Sequence, residues 1–378
     1  MNLRRLADAE VAGKRVLLRT SLNVPLRADG TVADDFRLRR GLPTLEHLVR
    51  QGAKVIAVGY LGREGASLKP VADHLARLAP RIPLRFFGES PARAAEHTAS
   101  LASGEVAVLE NIRREAGEEA NDPALAEVLA SLADLFVDDA FAEAHRPYAS
   151  NVGVAQLLPS YAGLLLEEEV ARLSEALTPP PGAFAVVGGA KFETKQPVLR
   201  KLSTLYGRVA VGGALANDFL KARGLSVGAS LVSDIPVPDD LAKSACLLLP
   251  TDVVVSSSRG GKRICRVDEI RSDETIVDNG PETSRAWSEE ISKSSFVLWN
   301  GPLGVFEKDF TEGTDALASA LSAASCRAAV GGGDTLAAIE KFSFEGDRVF
   351  RSTGGGAMLD FLAEGTLPAL EPLRMPPL

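Results

Sequence analysis

AAVGGGDTLAAIEKF, residues 328–342, is the stretch whose reading decides the fold. A short apolar run, Ala328 to Val330, stops at three glycines and gives way to a helix-like segment. Strand, glycine-rich junction and helix in that order form a βα unit, and the same rhythm recurs from one end of the chain to the other. In the first half it predicts strands at Val16 to Arg19, Val55 to Val58, Val106 to Leu109 and Leu135 to Val137. In the second half it predicts Phe184 to Val187, Val209 to Val211, Phe296 to Trp299, Ala328 to Val330 and Val349 to Arg351. Such short runs with few alternating polar positions belong to parallel sheets covered by helices on both faces.

A chain of 378 residues exceeds one ordinary core and predicts two domains. Leu164, Leu165, Glu168, Ala171 and Leu173 fall at helical spacing before Pro179, Pro180 and Pro181, which predicts a connecting helix ending at a proline break. The expected class is α/β: two doubly wound, mainly parallel-sheet domains joined by a hinge helix. The expected parts are 1–155, a connecting helix and hinge over 156–178, 179–362, and a tail over 363–378 that packs back over a domain or the hinge. With four prolines, that tail is expected to form no further regular element.

Hydrophobic residues make up 46% and charged residues 24%, values of a globular chain with an adequate core. A net charge of −8 argues against nucleic acid as a partner. Cys246, Cys265 and Cys326 are widely spaced and suggest neither disulfides nor zinc, which fits a reducing cytoplasm. No signal-peptide pattern or membrane-length apolar run is read in the sequence.

Glycine-rich junctions stand at GGAK (188–191), GGALAN (212–217), GGGDT (331–335) and TGGGA (353–357). Each is expected to offer free backbone N–H groups at a helix N-terminus, and in a parallel sheet all would gather at the carboxyl edge. None matches the P-loop or the dinucleotide fingerprint, which disfavours a dehydrogenase. Lys191 and Lys195, four residues apart, would project from one helical face and could hold phosphate oxygens, or could be a solvated pair. Asp334 is the metal candidate, since magnesium takes one or two carboxylates and completes its shell with water and phosphate; helix capping is its plain alternative. In the first half Arg37, Arg63, Arg113 and Arg146 sit near strand ends, where planar guanidinium groups could converge on one anion. An anion site in one half and a phosphate site in the other imply that the domains approach for transfer and exclude water.

The segments KRVLLRTSLNVPL, YLGR, SLKPVADHL, LENIRREAGEEAND, DDAFAEAHR, ASNVGVA, GGAKFETK, LLLPTDVVV, LWNGPLGVFE, GGGDTLAAIEKF and STGGGAMLDFL resemble, in order and spacing, the motifs of the phosphoglycerate kinase family. The resemblance implies an N-terminal domain for 3-phosphoglycerate and a C-terminal domain for magnesium ADP or ATP, in a monomer. It places Ser21, Leu22, Asn23, Arg37, Tyr60, Leu61, Gly62, Arg63, Arg113 and Arg146 on the acceptor side. It places Gly189, Lys191, Lys195, Gly213, Gly280, Asn300, Pro302, Glu307, Gly332, Gly333, Asp334 and Thr335 on the nucleotide side. Gly213, Gly280 and Pro302 would lie near adenine or ribose, and Glu307 would accept from a ribose hydroxyl. Arg37, Lys191 and the N–H groups after Thr353, Gly355 among them, would neutralise charge on the transferring group.

Three positions depart from the family pattern. Where it reads R-V-D-F-N-x-P this chain has RTSLNVP, so Ser21 replaces an aspartate that contacts the acceptor's 2-hydroxyl. Tyr60 replaces a histidine beside the acceptor phosphate, and Glu143 replaces a threonine three residues before Arg146. The segment between Leu231 and Leu247 is shorter than usual. The arginines persist while their neighbours change, which leaves three readings open: drift within the family, a kinase acting on another anionic carboxylic acid, or a nucleotide-binding scaffold of weak activity.

Overall fold

The computed structural model describes residues 1–62, 65–257 and 260–375. It divides into two compact units, Met1–Ala171 with Thr366–Leu378, and Arg172–Gly365. The division falls inside the helix Leu164–Leu177, which ends within a residue of the expected span 156–178 but begins well after its start, since β-strand residues Ser160–Ala162 occupy the first part of that span.

The first unit is built on β1 (Arg15–Thr20), β2 (Lys54–Val58), β3 (Leu84–Phe87), β4 (Val106–Leu109), β5 (Leu135–Asp139) and β6 (Ser160–Ala162), in the order β3-β4-β2-β1-β5-β6 with every pairing parallel. Successive residues of a strand point to opposite faces. Val16, Leu18, Val55, Ala57, Val106 and Val108 accordingly enter one core, while Leu17, Ile56, Val58, Ala107, Leu109 and Phe136 enter another. Both faces are covered, so the strands read as unbroken apolar runs.

The second unit holds β7 (Phe184–Val187), β8 (Arg208–Val211), β9 (Leu247–Leu248), β10 (Asp252–Ser257), β11 (Lys262–Arg266), β12 (Glu274–Asn279), β13 (Phe296–Asn300), β14 (Arg327–Gly331) and β15 (Val349–Arg351). Six of these form a parallel sheet in the order β15-β14-β13-β7-β8-β9, and β11-β10-β12 form a separate antiparallel sheet. Every expected strand is present. The antiparallel sheet and the strands β3, β6 and β9 were not expected; β6 spans three residues and β9 two, too short to carry a pattern.

The C-terminal tail corrects its expectation. It forms a 3₁₀ turn at Glu371–Leu373 and a bridge between Leu3 and Arg374, while Ala369 N donates to Ala144 O at 3.1 Å. Proline removes a donor but leaves its carbonyl and its neighbours' amides available for such contacts. Between Leu231 and Leu247 there is one short helix, Asp239–Ala242.

Asp139, at the end of β5, organises the start of the connecting helix. Its Oδ1 accepts from Leu165 N at 2.9 Å and Leu166 N at 3.2 Å, two of the N–H groups that the helix itself leaves unsatisfied. Burial pushes its carboxyl up to about 8, and burial raises the neighbouring Asp138 to about 6. The folded unit therefore keeps protons that the unfolded chain releases near the ordinary carboxylate range. This contribution to stability is full at acid pH and is lost as pH rises through the folded-state values. Asp139→Asn keeps an acceptor for both amides and removes the buried charge. Hydrogen exchange at Leu165 and Leu166 is expected to accelerate between about pH 6 and about pH 8.5 in the parent, beyond the intrinsic rise, and much less in the variant.

Candidate active site

The four glycine-rich junctions follow β7, β8, β14 and β15, and so leave one edge of the parallel sheet, with the turn Asn300–Gly301–Pro302 after β13 among them. They are knitted by main-chain contacts: Gly188 N donates to Asn300 O at 2.8 Å and Gly189 N to Pro302 O at 3.0 Å. A Cβ on Gly301 would lie 2.2 Å from Gly188 O, and one on Gly213 would lie 2.8 Å from Gly189 N. This corrects part of the sequence reading. The N–H groups of Gly188, Gly189 and Gly212 are spent on backbone carbonyls, so glycine is required there by the close approach of chains.

The two lysines do not share a helical face. Lys191 is the extended N-cap residue of the helix Phe192–Leu205 and is exposed, whereas Lys195 lies inside the helix, 7% exposed, with Nζ donating to Asn300 Oδ1 at 2.6 Å. Burial pushes the Lys195 ammonium down to about 8, against the charge of nearby Asp334. A Cβ on Gly189 would meet Lys195 Nζ at 3.6 Å, so that amine stands beside the first glycine turn. Asp334 is exposed in the first turn of Gly333–Ile339; Gly332, at φ +101°, is the cap, which removes capping as the role of Asp334. Thr335 is buried and its Oγ1 accepts from Gly301 N at 2.7 Å, fixing the turn. A Cβ on Gly355 would lie 3.4 Å from the Cα of Gly332, bringing the last two glycine turns together.

Beside these turns is a cavity of about 340 Å³ lined by Gly189, Gly213, Pro302, Glu307 and Asp334 of the expected set, with apolar walls that include Leu220, Val277, Leu303 and Phe306. Glu307 is exposed there. Volume, apolar walls and few polar groups suit a planar organic ligand. Gly280 does not line it: its Cα packs on Asp252, where a Cβ would be 2.2 Å from Oδ2. Its neighbour Asn279 does, as does Asn217; neither was expected, and nothing local in the sequence marks them.

In the first unit the loops after β1, β2, β4 and β5 surround a second cavity, about 540 Å³, lined by Asn23, Tyr60, Gly62, Arg113, Arg146 and Tyr148 with Glu119, Glu143 and His145. Arg113 and Arg146 converge on the Tyr148 hydroxyl, at 3.2 and 3.1 Å, and the Arg113 guanidinium lies 3.8 Å from the Tyr60 ring centroid. Asn23 donates to Tyr60 OH at 3.1 Å and accepts from Gly62 N at 3.0 Å. Arg37 donates to Asn23 O at 2.8 Å. Burial and then the Glu143 charge push the Tyr60 phenol up, so it remains a neutral hydroxyl. Leu22 and Leu61 are core residues; the Leu61 carbonyl accepts from Asn111 Nδ2 at 2.8 Å. Arg63 lies outside the described residues. Tyr148, which orients both arginines, was missed; its only sequence signal is an aromatic hydroxyl two residues beyond Arg146.

Among the described residues no helix is long and apolar enough to cross a membrane, and no group of three or more His, Cys, Asp or Glu side chains could hold a metal. The family model described as phosphoglycerate kinase matches residues 6–365. A phosphoglycerate kinase of Herpetosiphon aurantiacus is 42% identical over 99% of this chain and 100% of its own length. One from Moorella thermoacetica is 42% identical over 97% of each. Among solved structures, the phosphoglycerate kinase of Coxiella burnetii superposes with a TM-score of 0.82 at 38% identity, and that of Pyrococcus horikoshii with 0.84 at 30%, each covering 98% of both chains. With agreement from sequence and fold over nearly its whole length, the chain belongs to the phosphoglycerate kinase family.

Proposed function

We infer that this chain carries out the reaction of its family, reversible phosphoryl transfer between ATP and the carboxylate of 3-phosphoglycerate, giving 1,3-bisphosphoglycerate and ADP. Family membership over residues 6–365 carries this reading and leaves the other-acid and scaffold readings without support. The two cavities divide the work by chemistry. The apolar one beside the glycine turns suits a nucleotide, and the arginine-lined one suits a small anion.

A carboxylate is already an anionic nucleophile at neutral pH, so no general base is needed; catalysis consists of alignment and neutralisation of charge on the group in transit. Lys191 follows the first glycine turn as an exposed N-cap residue and supplies that charge together with Arg37 and the main chain near Gly355. Lys195 is anchored by Asn300, and a phosphate placed beside it favours its charged form. Arg113 and Arg146, held in common by Tyr148, receive the anionic acceptor. The test of the reaction is ADP release over a panel of carboxylates, with 3-phosphoglycerate expected to give the highest kcat/KM; a higher value with any other acid would reassign the acceptor.

Asp334 is the residue that would hold magnesium. A single exposed carboxylate fits a metal delivered on phosphate oxygens, since magnesium keeps waters and takes few protein ligands. When bound, the metal neutralises charge on the nucleotide phosphates. Asp334→Asn is expected to weaken magnesium-ADP binding about 10-fold or more in calorimetry and to leave metal-free ADP binding within about threefold. Equal losses with and without magnesium would remove the metal role.

A further inference from the structure

Glu143 is an acidic side chain beside the arginines of the acceptor cavity. It lines that cavity, yet is only 2% exposed. Its Oε2 accepts from the Ser21 hydroxyl at 2.7 Å, while Oε1 is buried with no hydrogen-bond partner among the described residues. Ser21 follows β1 and Glu143 ends the turn Phe141–Glu143 after β5, so this bond ties loops from adjacent strands. An unpaired buried carboxylate oxygen is costly, and a ligand that donates to it removes that cost. A phosphate or carboxylate of the ligand would be repelled by it. The group it can accept from, without like-charge repulsion, is a neutral hydroxyl.

We propose that Glu143 reads the hydroxyl of the acceptor, and so sets the preference for a phosphorylated hydroxy acid over the same acid without its hydroxyl. The proposal rests on the arginine-lined cavity being the acceptor site. The terminal torsion of a glutamate is broad, so a modest rotation presents Oε1 to the cavity, and the Ser21 hydroxyl, free to turn, follows it. The fully buried Arg19, whose Nε and Nη2 have no hydrogen-bond partner among the described residues, lies with its guanidinium 5.7 Å from the ring centroid of Tyr60, a residue of the same cavity, and adds positive field there. Ser21 and Glu143, two separate departures in the sequence, then become one exchange: the carboxylate is kept and enters the site from the β5 side.

The experiment compares kcat/KM for 3-phosphoglycerate and for 3-phosphonooxypropanoate, which lacks the hydroxyl, in the parent and in Glu143→Gln. The parent is expected to prefer the hydroxy acid by about 100-fold or more, and the variant to lose about 10- to 100-fold of that preference, the range of a hydrogen bond to a charged group. A merely structural Glu143 would lower both values together and leave the ratio unchanged, which overturns the proposal. A parent that does not discriminate also overturns it, whether or not the variant folds. Arg113→Met is the separate arm. It is expected to raise KM for both acceptors alike; an unchanged KM for both would instead overturn the placement of the acceptor in this cavity.

Discussion

Lys191→Ala is expected to lower kcat by roughly 30- to 1000-fold, the rate equivalent of about 2–4 kcal/mol, while KM for the nucleotide changes by less than about threefold. The expectation follows from where the residue sits. Lys191 is exposed and precedes its helix, so its loss opens no cavity and leaves no buried group unpaired. Stability should therefore be unchanged, and any effect belongs to the ligand. A charge that meets the phosphoryl group only in transit lowers the barrier without tightening the ground state. Lys195 provides the contrast. Its replacement by alanine leaves Asn300 Oδ1 without its donor and removes a buried side chain, so stability and nucleotide binding should fall with kcat. Steady-state kinetics with both substrates, alongside thermal unfolding, separates the two lysines. A Lys191→Ala enzyme whose nucleotide KM rises while kcat holds would show uniform binding and remove the catalytic role.

The parallel sheets were legible because their strands are buried on both faces and end at glycine, a pattern contained within a dozen residues. Val106–Leu109 and Phe184–Val187 coincide with their expected bounds for this reason. β11 lacks the pattern: Lys262, Arg263 and Arg266 surround Cys265 on an antiparallel strand that is buried at one position only. The site was legible at its strand ends and illegible in its long-range pairings. The bond between Ser21 and Glu143 spans 122 residues, so the sequence shows two isolated departures where the structure shows one coupled pair. Lys191 and Lys195 were assigned one helical face because a helix boundary is uncertain by a residue or two, and here that margin decides which side chain is buried. The glycine turns were expected to present free N–H groups, but whether Gly188 N is free depends on Asn300, which arrives from β13.

That dependence makes Gly301→Ala a severely damaging substitution to expect in the second unit. Gly301 has φ +99°, outside the regions an alanine adopts easily, and its added methyl would lie 2.2 Å from Gly188 O and 2.3 Å from Gly188 C. Both neighbours are backbone, so neither a rotamer change nor a surface rearrangement relieves the overlap. Separating the turns to make room would break the bonds from Gly188 N to Asn300 O and from Gly301 N to Thr335 Oγ1. Strain and lost hydrogen bonds together amount to about 4 kcal/mol or more, a large share of the stability of a domain this size. Gly346→Ala separates the two causes, since Gly346 also has positive φ, +55°, but nothing within 4 Å of its added methyl. It should cost only about 1–2 kcal/mol, the left-handed penalty alone. Trp287 and Trp299 both lie in the second unit, so tryptophan fluorescence during urea unfolding reports on that unit by itself. If the two variants unfolded at the same urea concentration, the close approach of the turns would carry no energetic weight, and conformational strain would be the whole reason for glycine at position 301.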